Sequence, residues 1–311
     1  MLENCTSKNI SQIISQIQER FADVEFVKLD DSILAYQLTK QADFNTPLKL
    51  AFYYPRPAIN LTGKDAHDFL QGIITADINQ AKENKGIRSL ILSPKGKILF
   101  DLLIEKIDED SYNLYVQPGE AQALKQHLDF YHIIEDINLK LNLDNYFWCI
   151  LSQSSLDLDY FFKSKSATWL KNVPIDQLPT DVQPIGLVEF EQIRAVFGFK
   201  QAGRDFDSSH YPLEAGLNDY VSYIKGCFIG QEPVARMTHK GRATKLLKHC
   251  VHSHIIDLEG DLSIYSKEQR VGKITSSSNY QSEAGYHSIG FFKPDYLEDL
   301  VVQNGSLSLL E

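Results

Sequence analysis

Ile10, Ile13, Ile14 and Ile17 recur at three- and four-residue steps, the spacing of one helix face, and predict an amphipathic helix over residues 9–21. β-rich runs at 33–38 and 48–53 predict strands. Residues 64–72 read as a short helix, with Thr62 as N-cap and Phe69 and Leu70 turned inward. Strand runs at 89–92 and 98–105 flank Ser93-Pro94-Lys95-Gly96-Lys97, and a Pro-x-Gly link of that length signals a hairpin. Further strands are expected at 112–116, 137–143 and 147–151, with a helix over 121–131 after Pro118-Gly119.

A helix over 186–197 carries Leu187, Phe190, Ile193 and Ala195, and Gly198 can end it. After residue 247 the pattern changes to short β runs at 248–252, 262–265, 271–276, 288–292 and 306–310, separated by Gly, Ser and Asn. That spacing predicts a small antiparallel barrel or sandwich. Gly272 and Gly290 sit beside strand residues and mark a bulge or a close backbone approach. The pattern as a whole predicts an α+β protein with helices on one sheet face. It divides into 1–137, with a variable extension over 1–45, then 138–246, then a C-terminal β domain over 247–311.

Composition narrows the function. The chain has 311 residues, 43% of them hydrophobic, and a net charge of −10. Such an acidic chain is a poor partner for nucleic acid, whose binding is dominated by basic contacts to phosphate. Arg236, His239, Lys240, Arg242, Lys245 and Lys248 do crowd together, and read as a solvated helix end and loop. Cys5, Cys149, Cys227 and Cys250 lack metal-site or disulfide-framework spacing, which fits a reducing compartment. The N-terminus lacks the pattern of a signal or transit peptide, and no run is long and apolar enough for a membrane span. The expected location is the cytoplasm.

Chemistry concentrates in Lys225-Gly226-Cys227-Phe228-Ile229-Gly230-Gln231-Glu232-Pro233-Val234-Ala235-Arg236. Gly230 can cap a helix and Pro233 suits an early helical position, so Cys227 should lie just ahead of a helix N-terminus. The helix end and nearby Lys225 both stabilise a thiolate. The alternative is a buried structural cysteine. Glu232 and Arg236 stand four apart as a surface pair, unless Arg236 serves an anion beside Cys227. Gln231 and Glu232 fall in the first turn.

This segment resembles the signature of the YgfZ family, folate-binding relatives of the glycine-cleavage T-protein (aminomethyltransferase). Thr62-Gly63-Lys64-Asp65-Ala66-His67-Asp68-Phe69-Leu70-Gln71-Gly72, Thr75-Ala76-Asp77, the 93–97 hairpin and Pro212-Leu213-Glu214-Ala215-Gly216-Leu217 extend the likeness over about residues 55–245. The resemblance implies two mixed α/β units of the T-protein type around a central cavity, plus a C-terminal antiparallel β-barrel. It implies bound tetrahydrofolate, with Glu214 accepting from the pterin. Phe190 and Arg194, four apart on one helix, are candidates for the flat ring and the folate glutamate, and equally for a core Phe and a surface Arg. Gln231 and Asp101 complete the folate candidates, and Lys225 and Arg236 accompany Cys227. The family is associated with assembly or repair of iron–sulfur clusters in client enzymes, such as a radical tRNA methylthiolase. Phe100 stands where true aminomethyltransferases carry one of two aspartates, which weakens the case for aminomethyl transfer. That transfer is the alternative reading, as is a folate-responsive scaffold without turnover.

Overall fold

A computed structural model describes residues 24–28, 34–38, 49–143, 145–152, 159–174, 177–241 and 243–310. The helix expected over 9–21 lies outside these residues, as do Cys5 and Arg242. The chain divides into two compact units that interleave in sequence. The first takes residues 1–72, 76–89 and 100–190; the second takes 73–75, 90–99 and 191–311.

The first unit is built on two five-stranded sheets, one of them mixed, and a hairpin. The hairpin pairs β1 (Val24–Lys28) with β2 (Leu34–Leu38). One sheet runs β10 (Phe162–Lys163), β11 (Thr168–Lys171), β9 (Tyr146–Ser152), β3 (Lys49–Pro55), β12 (Gln183–Ile185), with β12 parallel to β3. Strands β3 and β9 are buried almost throughout, which is why they read as continuous apolar runs rather than alternating ones. The other sheet runs β5 (Ile87–Leu92), β6 (Ile98–Asp108), β7 (Ser111–Tyr115), β4 (Ala58–Thr62), β8 (Asn138–Asn142). Helix α1 (Ala66–Ile73) and helix α2 (Ala121–Tyr131) accompany it, and α2 buries Ala121, Leu124 and Leu128 at helical spacing.

Thr62 is not the cap of α1. It ends β4, paired with Ser111 on one side and Asn138 on the other. Two-sided ladder pairing of a β-branched residue prevails over its capping preference. Gly63 makes the turn instead, at φ 133°, where Ala66 N–H donates to its carbonyl.

The second unit holds the ends of the β5–β6 hairpin, the C-terminal part of helix α3 (Leu187–Val196), short helix α4 (Pro212–Ala215), helix α5 (Gln231–Lys240) and the barrel. Gly198, at φ 62°, stands just past α3 as expected. Six antiparallel strands close the barrel in the order β13 (Leu246–His252), β16 (Gly285–Phe292), β15 (Gln269–Ser282), β14 (Ser263–Ser266), β17 (Leu300–Val302), β18 (Gly305–Leu310). Ile264, Val271, Ile274, Phe292, Val302 and Leu307 belong to its core. Gly272 and Gly290 mark a close approach: a Cβ on Gly272 would strike the Phe291 carbonyl, and one on Gly290 would lie 2.8 Å from that of Lys273. The fold is thus α+β, with mixed units and a closed antiparallel barrel.

Candidate functional site

Four of the sequence segments singled out above meet in the second unit. Gly230 starts α5 at φ 80°, and a Cβ there would lie 2.5 Å from the Ser93 carbonyl. Across the contact, a Cβ on Gly96 (φ 77°) would lie 3.0 Å from Val234 Cγ2 and 3.1 Å from Pro233 Cγ. The 93–97 hairpin therefore packs glycine to glycine on the first turn of α5. Phe228 and Val234 sink into an apolar cluster with Leu90, Leu92, Ile98, Ala215 and Leu217. Lys225 Nζ donates to the Ile74 carbonyl at 2.6 Å and lies 5.2 Å from the Phe228 ring centroid. Thr75 Oγ1 donates to the Tyr220 carbonyl at 2.8 Å.

Cys227 emerges from this packing exposed, between buried Phe228 and the bonded Lys225, on the approach to α5. Anchors on either side fix the loop while the thiol faces solvent. Cys149 and Cys250 are buried, and burial pushes both thiols well above the usual range. Gln231 opens α5; Glu232 and Arg236 are both exposed, and no ion pair joins them among the described residues.

Glu214 is 3% exposed and caps α4. Its Oε2 accepts from the Tyr211 backbone N–H at 3.0 Å, and its Oε1 from the Thr244 hydroxyl at 2.8 Å. Lys97, from the hairpin, sits 3.8 Å from Oε2 and 3.3 Å over the Tyr211 ring. Burial holds the Lys97 ammonium below its usual range, with Glu214 opposing and Lys245 adding to the shift. These bonds occupy one lone pair on each Glu214 oxygen, so the carboxylate has acceptor capacity left for a ligand donor.

Arg194 is fully buried in the second unit. It donates to Asp205 (2.6 Å), Ser276 Oγ (2.6 Å), Glu191 (3.0 Å) and the Phe199 carbonyl (3.3 Å). Asp205 in turn accepts from the Thr275 and Ser276 hydroxyls. Of the two readings of Arg194, the surface arginine gives way: its buried guanidinium, the candidate for the folate glutamate, is spent as a tie from α3 to β15. Phe190, in the first unit, stacks on Phe52 with centroids 4.2 Å apart and planes 14° from parallel. Asp101 is buried in a bidentate pair with Arg88, at 2.8 and 2.6 Å.

The first unit also holds a group that the sequence reading passed over. Arg56 is 4% exposed, lies 4.9 Å over the Trp169 ring and 5.5 Å over Tyr54, and its Nε has no hydrogen-bond partner among the described residues. Burial lowers its pKa. Glu120 Oε2 and Asn145 Nδ2 are likewise buried without partners among the described residues. Burial pushes the Glu120 carboxyl up to about 7; Asp101 adds to the rise and Arg56 opposes it. Tyr54 donates to Gln117 in the same unit. Buried polar groups are normally satisfied, so donors and acceptors left open together are a ligand's complement. The available signal was Pro55-Arg56-Pro57, a guanidinium between two apolar strands.

Comparison with known proteins places these observations. Residues 57–146 match the family model of the GCVT N-terminal domain. The chain is 25% identical over 228 residues to an iron–sulfur cluster assembly factor IBA57 homolog, mitochondrial, from Neurospora crassa, covering 63% of this chain and 52% of that one. The chain thus spans about half the length of that relative. The corresponding Pyricularia oryzae protein is 23% identical over 295 residues, 82% of this chain and 74% of its own. An aminomethyltransferase of Chlorobium luteolum is 24% identical over 260 residues, 70% of this chain and 71% of its own. The crystal structure of glycine cleavage system aminomethyltransferase T from Bartonella henselae superposes with a TM-score of 0.77 over 96% of both chains, at 15% identity, a likeness of fold alone. Residues 57–146 are thus similar to the GCVT N-terminal domain, within a fold like that of the aminomethyltransferases.

Proposed function

We propose that this chain is a folate-binding protein of the YgfZ type that supports assembly or repair of iron–sulfur clusters in client enzymes through Cys227. The observation that carries the reading is the exposed Cys227 thiol on a loop fixed by the Gly96–Gly230 contact and the Lys225–Ile74 bond. Relatives whose names assign them to iron–sulfur cluster assembly support it. Among the described residues no group of three or more His, Cys, Asp or Glu is placed to hold a metal ion. In this reading Cys227 gives one thiolate to a cluster whose other ligands belong to the client. The cluster is cargo in this reading. Where the client is a radical tRNA methylthiolase in the cytoplasm, tRNA modification follows indirectly.

The open polar groups fit tetrahydrofolate. In the first unit Arg56 can donate to its carboxylate or carbonyl oxygens and Glu120 can accept from pterin N–H groups; in the second unit Glu214 is by itself a candidate acceptor for the pterin. The folate supplies one-carbon chemistry when bound. The chain's residues hold it and exclude water. Folate-dependent aminomethyl transfer is the second reading, favoured by the relatives that bear that name. Both Asp101 oxygens are bonded to Arg88 and its neighbour is Phe100, an arrangement less suited to a base for that chemistry.

The test is complementation in cells lacking the protein, read by activity of iron–sulfur enzymes and by methylthiolation of tRNA. Cys227→Ser is expected to fail and Asp101→Ala to restore both. The reverse pattern favours the transferase. Calorimetry with tetrahydrofolate on Glu214→Ala, expected to cost roughly ten- to a hundredfold in affinity, tests the folate contact.

A further inference from the structure

A cleft of about 560 Å³ opens in the second unit, between the 203–210 loop and barrel strands β15 and β16. Its floor is a stacked pair: the His210 ring lies on Phe291 with centroids 4.4 Å apart and planes 5° from parallel. Lys245 Nζ lies 2.8 Å from His210 Nε2 and 4.7 Å over the Phe291 ring. On the far side, His210 Nδ1 is 2.9 Å from Asp207 Oδ1. A neutral imidazole protonated on Nδ1 satisfies both contacts, donating to Asp207 and accepting from the Lys245 ammonium. Burial and the Lys245 charge both lower the His210 pKa and favour that form. Lys245 is thereby held at the cleft by an uncharged partner.

Arg270, Lys273 and Lys293 stand around the same cleft on β15 and just after β16. None of these three, nor Lys245, takes part in an ion pair among the described residues. The two lining carboxylates do not neutralise them, and outside the lining only Asp261, among the described carboxylates, is seen to feel Arg270. Asp205 is closed off by Arg194, Ser276, Thr275 and the Gln201 N–H. Asp207 accepts from Ser209 and His210. Arg204, a fifth cation, is 3.5 Å from Glu191. An excess of positive charge around a concave floor is unexpected in a chain of net charge −10. On a solvated face the lysines would scatter; here they converge on one cavity of small-molecule size.

We infer that this cleft binds the diphosphate group of a small molecule, either free pyrophosphate or a nucleoside diphosphate. Ammonium groups bind phosphate as point charges, and a guanidinium adds paired donors. Lys245 meets one phosphate at the floor, while Arg270, Lys273 and Lys293 meet the second at the rim. Neither Cys227 nor any residue of the first unit is among its lining residues, and the inference stands whether or not the folate reading holds.

The experiment is calorimetry on the full chain at physiological ionic strength with pyrophosphate, a nucleoside diphosphate, the matching monophosphate and citrate. Pyrophosphate or the nucleoside diphosphate should bind at least tenfold more tightly than the monophosphate and citrate. Tighter binding of the nucleotide identifies it as the source, and equal binding identifies the free anion. Arg270→Glu with Lys273→Glu, both at exposed positions, should weaken binding at least tenfold with an unchanged melting temperature. Lys245→Met should weaken it as well. No diphosphate binding at millimolar concentration, citrate binding as tightly, or binding indifferent to the charge reversals would each overturn the inference. Micromolar retention of tRNA lost in the same variants would also overturn it, in favour of a nucleic-acid surface.

Discussion

Gly230 and Gly96 meet backbone to backbone: a Cβ built on Gly230 lies 3.2 Å from Gly96 Cα. Residues far apart in sequence thereby set the place of the Cys227 loop. Gly230→Ala meets the Ser93 carbonyl and must also hold a left-handed φ of 80°. The conformation alone costs about 1–2 kcal/mol and the overlap adds to it, so a loss of roughly 2–4 kcal/mol is expected in urea unfolding. A loss under about 0.5 kcal/mol would mean that the hairpin and α5 separate freely.

Among the described cysteines, Cys227 is the one that native alkylation should reach. Iodoacetamide followed by peptide mass spectrometry should modify it first and leave Cys149 and Cys250 unmodified until the protein unfolds. Equal labelling of the three in the native state would contradict the burial described.

Glu120 makes stability fall as pH rises. Its folded pKa, about 7, lies above the usual carboxylate value, so the folded state holds the proton more tightly. The penalty is absent below about pH 4, grows up to pH 7 and is constant above; its ceiling is about 3 kcal/mol. Glu120→Gln should therefore gain roughly 1–3 kcal/mol over the native chain at pH 8 and little at pH 4, measured by urea unfolding at each pH. A gain that does not depend on pH would count against a titrating Glu120.

The barrel carries the opposite sensitivity. His249 Nε2 and His287 Nδ1 lie 3.0 Å apart in a stacked pair, and burial first, then His287, lowers His249 to about 4. A depressed histidine stabilises the neutral fold above the usual imidazole pKa, and that stability is lost as pH falls from about 6.5 toward 4. His249→Gln should flatten this acid limb by roughly 1–3 kcal/mol in the same measurement. An unchanged limb would place acid sensitivity elsewhere.

Local signals were legible where neighbours in sequence decide the outcome. The hairpin at 93–97, helix 121–131 and most barrel strands follow from turn residues and periodicity. Gly272 and Gly290 sit where the backbones crowd, as their places beside strand residues imply. Strand β17 escaped because three residues are too few to show a period, and pairing with β14 and β18 defines it. Phe190 and Arg194 have helical spacing, but residues 52, 205 and 276 decide what each touches. Arg56 was overlooked for the same reason: Trp169 makes its site, and nothing local announces Trp169.

The interleaving of the two units bears on how the chain is made. Residues 73–75 and 90–99 leave the ribosome early, yet they belong to a unit completed only by residues 191–311. At roughly 5–20 residues per second the Gly96 turn waits on the order of ten seconds for Gly230 to emerge. During that interval Leu90, Leu92 and Ile98, all buried in the finished protein, have no partners to cover them. A nascent chain halted before residue 190 should therefore engage chaperones more strongly than the finished one. The loop that presents Cys227 can assemble only late in synthesis.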